Sequence, residues 1–125
     1  MDENDTTGMI IGAAIEVHKT LGPGLLESVY QQCMCKELEL RGADVVTEMA
    51  LQGNYKGHVF RVDYRMDMLV NNKVVVELKV VEKVLPVHKA QLLSYMRLGG
   101  IKLGLLINFN EVQVKNGVTR LVNNL

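Results

Sequence analysis

Two apolar runs constrain this chain more than anything else in it. Met66 to Val70 and Val74 to Val81 read as strands, yet the first holds Asp67 and the second holds Glu77 and Lys79. Burying a charge costs several kcal/mol unless it is paired or bound to a metal. Strand alternation puts Val74, Val76, Leu78 and Val80 on one face and Val75, Glu77, Lys79 and Val81 on the other. On the first run Met66, Met68 and Val70 share a face, with Asp67 and Leu69 opposite. An antiparallel hairpin that makes the apolar faces coincide pairs Asp67 with Glu77 and Val70 with Val74. Its connection is Asn71-Asn72-Lys73, with a left-handed residue that Asn tolerates. A two-residue turn would slip the register and turn Glu77 to the other face. Core burial and convergence of the charges select the same register.

Two carboxylates held side by side suit a divalent cation, and a lysine beside them can orient or help deprotonate a water. That set is the minimum for metal-assisted hydrolysis of a phosphodiester. The competing reading is a surface hairpin whose Asp67, Glu77 and Lys79 are solvated cross-strand charges, since Glu-x-Lys in a strand is frequent by chance.

The remaining pattern predicts one mixed α/β domain, as suits 125 residues of which 48% are hydrophobic. Residues 1 to 6 read as a frayed polar tail and Thr7 as an N-cap. A helix to about Thr20 buries Ile11, Ala14, Ile15, His18 and Leu21, and Leu21-Gly22-Pro23-Gly24 breaks it. A second helix, about Leu26 to Arg41, buries Leu26, Val29, Tyr30, Cys33, Met34 and Leu38, with Gly42 past its end. Strands follow at Val45 to Leu51 and His58 to Tyr64, with a turn over Gly53 to Gly57, and then come the two charged runs. Pro86 starts a third helix that ends at Gly99-Gly100. Lys102 to Asn108 reads as a buried central strand, and Asn116-Gly117 as the turn of a terminal hairpin joining Val112 to Lys115 with Val118 to Val122.

Lys plus Arg and Asp plus Glu balance at 14 each, which argues against a broad non-specific nucleic-acid surface but not against a local basic groove. No run approaches the ~20 apolar residues that span a bilayer. The acidic start, Met1-Asp2-Glu3-Asn4-Asp5, is unlike a secretory signal, so a cytoplasmic location is expected. Cys33 and Cys35 point about 200° apart on a helix, which disfavours a shared metal or disulfide.

Two further constellations accompany the charged strands. His88, Gln91 and Tyr95 share one face of the third helix at spacings of three and four. An amide and a phenol there can hydrogen-bond a carboxylate, a water or a phosphate, although Tyr95 in the core and Gln91 in solvent would be the structural alternative. Gly24, Glu27 and Tyr30 are spaced by three at the start of the second helix, where Glu27 could also be an ordinary first-turn acid.

Gly24-Leu25-Leu26-Glu27-Ser28-Val29-Tyr30 resembles the signature of the bacterial and archaeal Gly-x-x-Glu-x-x-Tyr proteins. So do Ala14-Ile15-Glu16-Val17-His18, Tyr64-Arg65-Met66-Asp67-Met68-Leu69-Val70, Val76-Glu77-Leu78-Lys79, Pro86 through Tyr95, and Gly104-Leu105-Leu106-Ile107-Asn108-Phe109. The resemblance covers roughly residues 8 to 122. That family is placed in the PD-(D/E)xK nuclease superfamily, so the resemblance implies a mixed central sheet flanked by helices, with a restriction-endonuclease-like αβββαβ core and, here, a C-terminal hairpin. It implies Asp67, Glu77 and Lys79 as motif residues, Glu27 as the extra acid, and Gln91 and Tyr95 as the Gln-x-x-x-Tyr motif of RecB-type nucleases. One departure is Met66, where a small residue is usual beside the motif aspartate. It is expected on the core face with Met68.

The function expected is hydrolysis of DNA or RNA with Mg²⁺ or Mn²⁺. Asp67, Glu77, the Leu78 carbonyl and Glu27 would hold the metal, and Lys79 would serve the attacking water. Gln91, Tyr95, Tyr30, His88 and Arg65 would support the site or the substrate, with Lys83, Lys89 and Arg97 as further phosphate contacts. The alternative is a non-catalytic interaction module that keeps the fold, or a homodimer formed through an apolar edge strand near the C-terminus.

Overall fold

The first helix begins inside the stretch that reads as a frayed tail. In the computed structural model, which describes residues 1–123 apart from the side chains of Asp63 and Tyr64, α1 spans Glu3–Leu21. The Asp2 carboxylate accepts from the Asp5 N–H at 2.8 Å, and the Asp5 carboxylate accepts from the Asp2 N–H at 3.3 Å. This reciprocal box, with Glu3 and Asp5 at the positive end of the helix, puts the cap at Asp2, five residues ahead of the expected one. Thr7 lies a turn inside and donates its hydroxyl to the Glu3 carbonyl at 2.8 Å. The earlier start accompanies a rotated stripe. Ile10, Ala13, Ala14, Val17 and His18 are buried, Ile15 is exposed, and Ile11 and Leu21 are half-buried.

Helix α2, Glu27–Leu40, buries Tyr30, Met34 and Leu38. Val29 and Cys33 are half-buried, and Leu26, expected inside, is an exposed residue at the cap. Gly42 follows with φ +85°. The N–H groups of Gly42 and Ala43 return to the carbonyls of Glu39 and Leu38, the closure expected of a helix ending in a left-handed glycine.

Five strands form one sheet in the order β1 (Val45–Tyr55), β2 (His58–Val70), β3 (Val74–Lys79), β4 (Leu103–Asn108) and β5 (Val118–Val122). β1, β2 and β3 are antiparallel neighbours, and β3 and β4 are parallel through α3 (Pro86–Gly99). α1 and α2 cover one face, where Ile10, Tyr30, Met34 and Leu38 meet Met68, Val70, Val76, Leu78, Leu105 and Ile107. α3 covers the other, where Leu92 and Met96 meet Leu51, Met66, Val75 and Leu106. This is the mixed α/β sheet with flanking helices that the sequence predicts. Among the described residues no helix is long and apolar enough to cross a membrane.

Three boundaries differ from expectation. The strands read at His58–Tyr64 and Met66–Val70 are one strand, β2. β1 runs on to Tyr55, leaving a two-residue turn at Lys56-Gly57 with φ +50° and +85°, the signs a tight hairpin requires. β3 ends at Lys79 rather than Val81.

The C-terminal hairpin does not form. Val114–Gly117 is a 3₁₀ turn, and β5 pairs antiparallel with β4, from Ile107–Val118 to Leu103–Val122. The free edge of the buried strand β4 offers a ladder that a local hairpin would leave unpaired. Gly117 serves close approach, since a Cβ there would lie 2.3 Å from the Asn108 carbonyl oxygen.

The β2–β3 connection is the expected one. Asn71 and Asn72 are both left-handed, at φ +53° and +54°, and Val70 pairs with Val74. Leu78 is fully buried against α1 and α2. Leu78→Ala is therefore expected to cost about 2–5 kcal/mol by opening a cavity, measured by urea denaturation without metal.

Candidate active site at a fork between two strands

The β2–β3 ladder runs Val70–Val74, Leu69–Val75 and Met68–Val76. The next position in that frame brings Asp67 level with Glu77, as the apolar alternation predicts. There a side chain takes over from the ladder. One Asp67 carboxylate oxygen, Oδ2, accepts the Leu78 N–H at 2.8 Å. The strands fork at this point, and Asp67 closes the fork.

The other edge of β2 is broken at the same level. β1 pairs Thr47 with Met68 and Met49 with Met66, and the intervening Glu48 has φ +55°. Both strands change face here. Val45 and Met68 pack in the layer under α1 and α2, whereas Met49 and Met66 pack under α3. Met66 therefore does not share a face with Met68 as expected. It fills the second layer beside Leu51, Leu92 and Met96. The same layer holds Val75, and by alternation along β3 Glu77 and Lys79 belong to that face.

Burial governs the charge of the two acids. Glu77 is 6% exposed and Asp67 half-buried. Desolvation lifts Glu77 to about 7, against the pull of Lys79 and of the Asp67 backbone, and the charges of Glu27 and Glu48 push the same way as burial. Desolvation likewise lifts Asp67 to about 6, while the Leu78 N–H and Lys79 hold it down and Glu27 and Glu48 raise it. Lys79 acts from beyond ion-pair distance. Among the described residues the one salt bridge is Arg41–Glu37.

The remaining sequence-predicted residues sort by position. Glu27 is the exposed first residue of α2, close enough for its charge to act on both acids. Tyr30 is fully buried and stacks on Phe109 at 4.4 Å. Its hydroxyl donates to the Gly22 carbonyl at 2.6 Å and accepts the Leu25 N–H at 3.2 Å, so it braces the loop before Glu27. Arg65 is exposed and donates to the Glu48 carbonyl at 3.2 Å. His88 Nδ1 accepts the Leu85 N–H at 3.0 Å, which makes it a cap on α3. Tyr95 is half-buried in the α3 layer, on the face of Glu77 and Lys79. Gln91 is exposed and makes no side-chain hydrogen bond among the described residues. Lys83, Lys89 and Arg97 are exposed.

Three supporting residues escape the sequence reading. Gln31 Nε2 donates to the Asp67 carbonyl and to Glu48 Oε1, each at 3.0 Å. Its one available signal is that it lies four residues after Glu27, on the same helix face. Glu48 itself gives no signal within an ordinary strand run. Asn108 is buried, and its amide bonds both the N–H and the carbonyl of Val81, at 3.1 and 2.8 Å. It fixes the chain just past Lys79, and its signal is a polar residue at the end of an apolar run.

Among the described residues no group of three or more His, Cys, Asp or Glu is set to hold a metal ion. The paired oxygen donors of Asp67 and Glu77 suit magnesium, which is held through one or two carboxylates and keeps several waters. A cavity of about 390 Å³, lined by Met49, Leu51, Met66 and the turn 99–102, contains none of these acids.

A model of the PD-(D/E)XK nuclease superfamily matches residues 4–121. The chain belongs to this superfamily. No curated protein matches it. Among solved structures it is similar to SSO0001, at 20% identity and a TM-score of 0.49 over 95% of this chain and 78% of that one. It is also similar to LHK-Exo, crystallised with dAMP, at 16% identity and a TM-score of 0.48 over 97% and 83%.

The raised carboxyls set a pH dependence. Both bind protons more tightly folded than unfolded, so folding gains stability from their protonation. That gain is complete below the unfolded carboxylate value of about 4 and is lost as pH rises through about 6 for Asp67 and about 7 for Glu77. Thermal melting of the metal-free protein should therefore show stability from these groups falling between about pH 4 and pH 7. Glu77→Gln should flatten the upper part of that fall.

Proposed function

We propose that this superfamily member is a Mg²⁺- or Mn²⁺-dependent nuclease acting on DNA, with Asp67, Glu77 and Lys79 as its catalytic residues. The observation that carries the reading is the fork. Two acids converge where the sheet opens, both are desolvated, and neither forms an ion pair among the described residues. Structural acids in an apolar sheet would be paired, since an unpaired buried charge is costly.

In this reading Asp67 and Glu77 hold the cation with the Leu78 carbonyl, and Glu27 approaches from α2. The bound cation supplies positive charge at the scissile phosphate and makes water a stronger nucleophile. Lys79, as a cation, orients the attacking water and offsets charge on the phosphate. Asp67 has a second task, because its carboxylate also fixes the Leu78 peptide. Tyr30 serves by bracing the loop before Glu27 rather than by touching substrate. In this reading Tyr95 and Gln91 of α3 and Arg65 of β2 meet the nucleic-acid strand, and His88 holds the start of α3. A homodimer would use β5, the last strand of the sheet, which carries the exposed Val122.

The test combines melting with and without Mn²⁺ and cleavage assays on single- and double-stranded DNA and on RNA. Glu77→Ala should lose metal-dependent cleavage and the Mn²⁺-induced rise in melting, and without metal it should melt no more than slightly below the parent, because relief from burying a carboxyl offsets loss of its contact with the Asp67 backbone. Asp67→Ala should also lose cleavage, but with a penalty of about 1–3 kcal/mol because the Leu78 N–H loses its acceptor. Asp67→Asn keeps an acceptor and should avoid most of that penalty. If Glu77→Ala melts far below the parent without metal and responds to Mn²⁺ as the parent does, Glu77 is a structural partner and the interaction module is the better reading.

A further inference from the structure

We propose that Glu48 is a positioning residue of this site: a fixed negative charge, presented by Gln31 opposite Asp67, that raises affinity for a divalent cation without ligating it. The inference rests on the metal-dependent reading above.

Three observations converge on Glu48. It lies opposite Asp67 in the β1–β2 frame, at the position that pairing omits. Its backbone sits at φ +55°, a region that a long unbranched acid rarely occupies and that Asn or Gly fits far better. Such strain persists where the surroundings impose it, and it concentrates at functional sites. Its carboxylate is also held. Gln31 Nε2 bridges Glu48 Oε1 and the Asp67 carbonyl, and Arg65 fastens the Glu48 carbonyl. One amide thus ties the side chain of Glu48 to the backbone of Asp67 across the break in the ladder.

For metal-free folding this arrangement is a poor choice. It adds a strained residue and a further negative charge beside two acids that burial already disfavours. Asn at position 48 would relieve both faults and could still accept from Gln31. A divalent cation reverses the electrostatic sign, because each nearby fixed negative charge then attracts it. Gln31 anchors one oxygen of Glu48 at the rim of the break, and the proposed contribution acts through the field. Glu48 is exposed, so salt must screen its effect.

The experiment is calorimetric titration of the whole chain with MnCl₂, for the parent and for Glu48→Gln, Glu48→Asp and Glu48→Asn, at low and high ionic strength, with melting of each metal-free protein. Glu48→Gln keeps the shape and the acceptor for Gln31 but removes the charge. It should weaken Mn²⁺ binding roughly 3- to 10-fold at low salt, with the difference shrinking at high salt. Glu48→Asp should bind more like the parent because it restores charge. Glu48→Asn should melt at or above the parent while binding Mn²⁺ as weakly as Glu48→Gln. Glu48→Gln and Glu48→Asp behaving alike would overturn the inference, since the effect would then not follow charge. A Glu48→Gln deficit that persists undiminished at high salt overturns it too. A parent that takes up no Mn²⁺ rejects the metal-dependent reading itself, and this inference with it, whereas a parent that binds beside an unaffected Glu48→Gln rejects only the role of Glu48.

Discussion

The hydrogen bond from the Leu78 N–H to the Asp67 carboxylate is the contact on which the candidate site depends. A sheet that opens to admit chemistry must stop its ladder somewhere, and an orphaned backbone donor in a half-buried place is costly. Asp67 resolves this with its own side chain at 2.8 Å. The acid that would bind the cation is thereby the acid that ends the ladder. Glu77 interacts in turn with the Asp67 backbone, so the two acids brace the fork from both strands. It is the more buried of the two, and desolvation is the largest cause of its raised value.

The fork is stable because hydrophobic layers close over both faces of the sheet around it. At Glu48 and Asp67 the two strands exchange faces together, so Met66 and Met49 enter the α3 layer while Met68 and Val45 remain under α1 and α2. A face change in one strand alone would set apolar residues against polar ones across the pair. Done in both at once, it turns polar groups into the break while the apolar positions on either side stay buried. Gln31 then fastens the break from above, to the Asp67 backbone on one strand and the Glu48 carboxylate on the other.

The charged runs were legible because strand alternation has period two and admits few registers. One register satisfied the Val, Leu and Met positions, and the structure has it from Val70–Val74 to Met68–Val76. Helix ends marked by Gly42 and Gly100 were legible for a similar local reason. What failed was non-local or competitive. The start of α1 escapes a polar-tail reading because Asp2 and Asp5 satisfy each other. The terminal hairpin that the turn residues predict does not form because the free edge of β4 competes for β5 and because Gly117 is needed for close approach to Asn108. Alternation assumes a regular strand and so puts Met66 on the wrong face, and nothing in the composition of β1 announces a left-handed Glu48. The family resemblance supplied the relation between α2 and the strands that periodicity alone could not.

The spacing of Gly24, Glu27 and Tyr30 acquires a physical meaning that the sequence does not display. Gly24 holds φ +98°, a turn that side chains oppose. Glu27 opens α2, and Tyr30, nearly a turn later, reaches back to bond the loop at Gly22 and Leu25. The ring of Tyr30 stacks on Phe109, whose N–H donates to the Lys79 carbonyl at 2.9 Å. A short chain of contacts therefore joins the loop that presents Glu27 to the strand end that carries Lys79. Asn108, the neighbour of Phe109, secures Val81 just beyond. The position of Glu27 relative to the fork is set by this buried stack rather than by any direct bond among the acids. Repelling carboxylates cannot hold one another in place, so this ring pair helps fix Glu27, as the Leu78 N–H fixes Asp67 and Gln31 ties Glu48 to the Asp67 backbone.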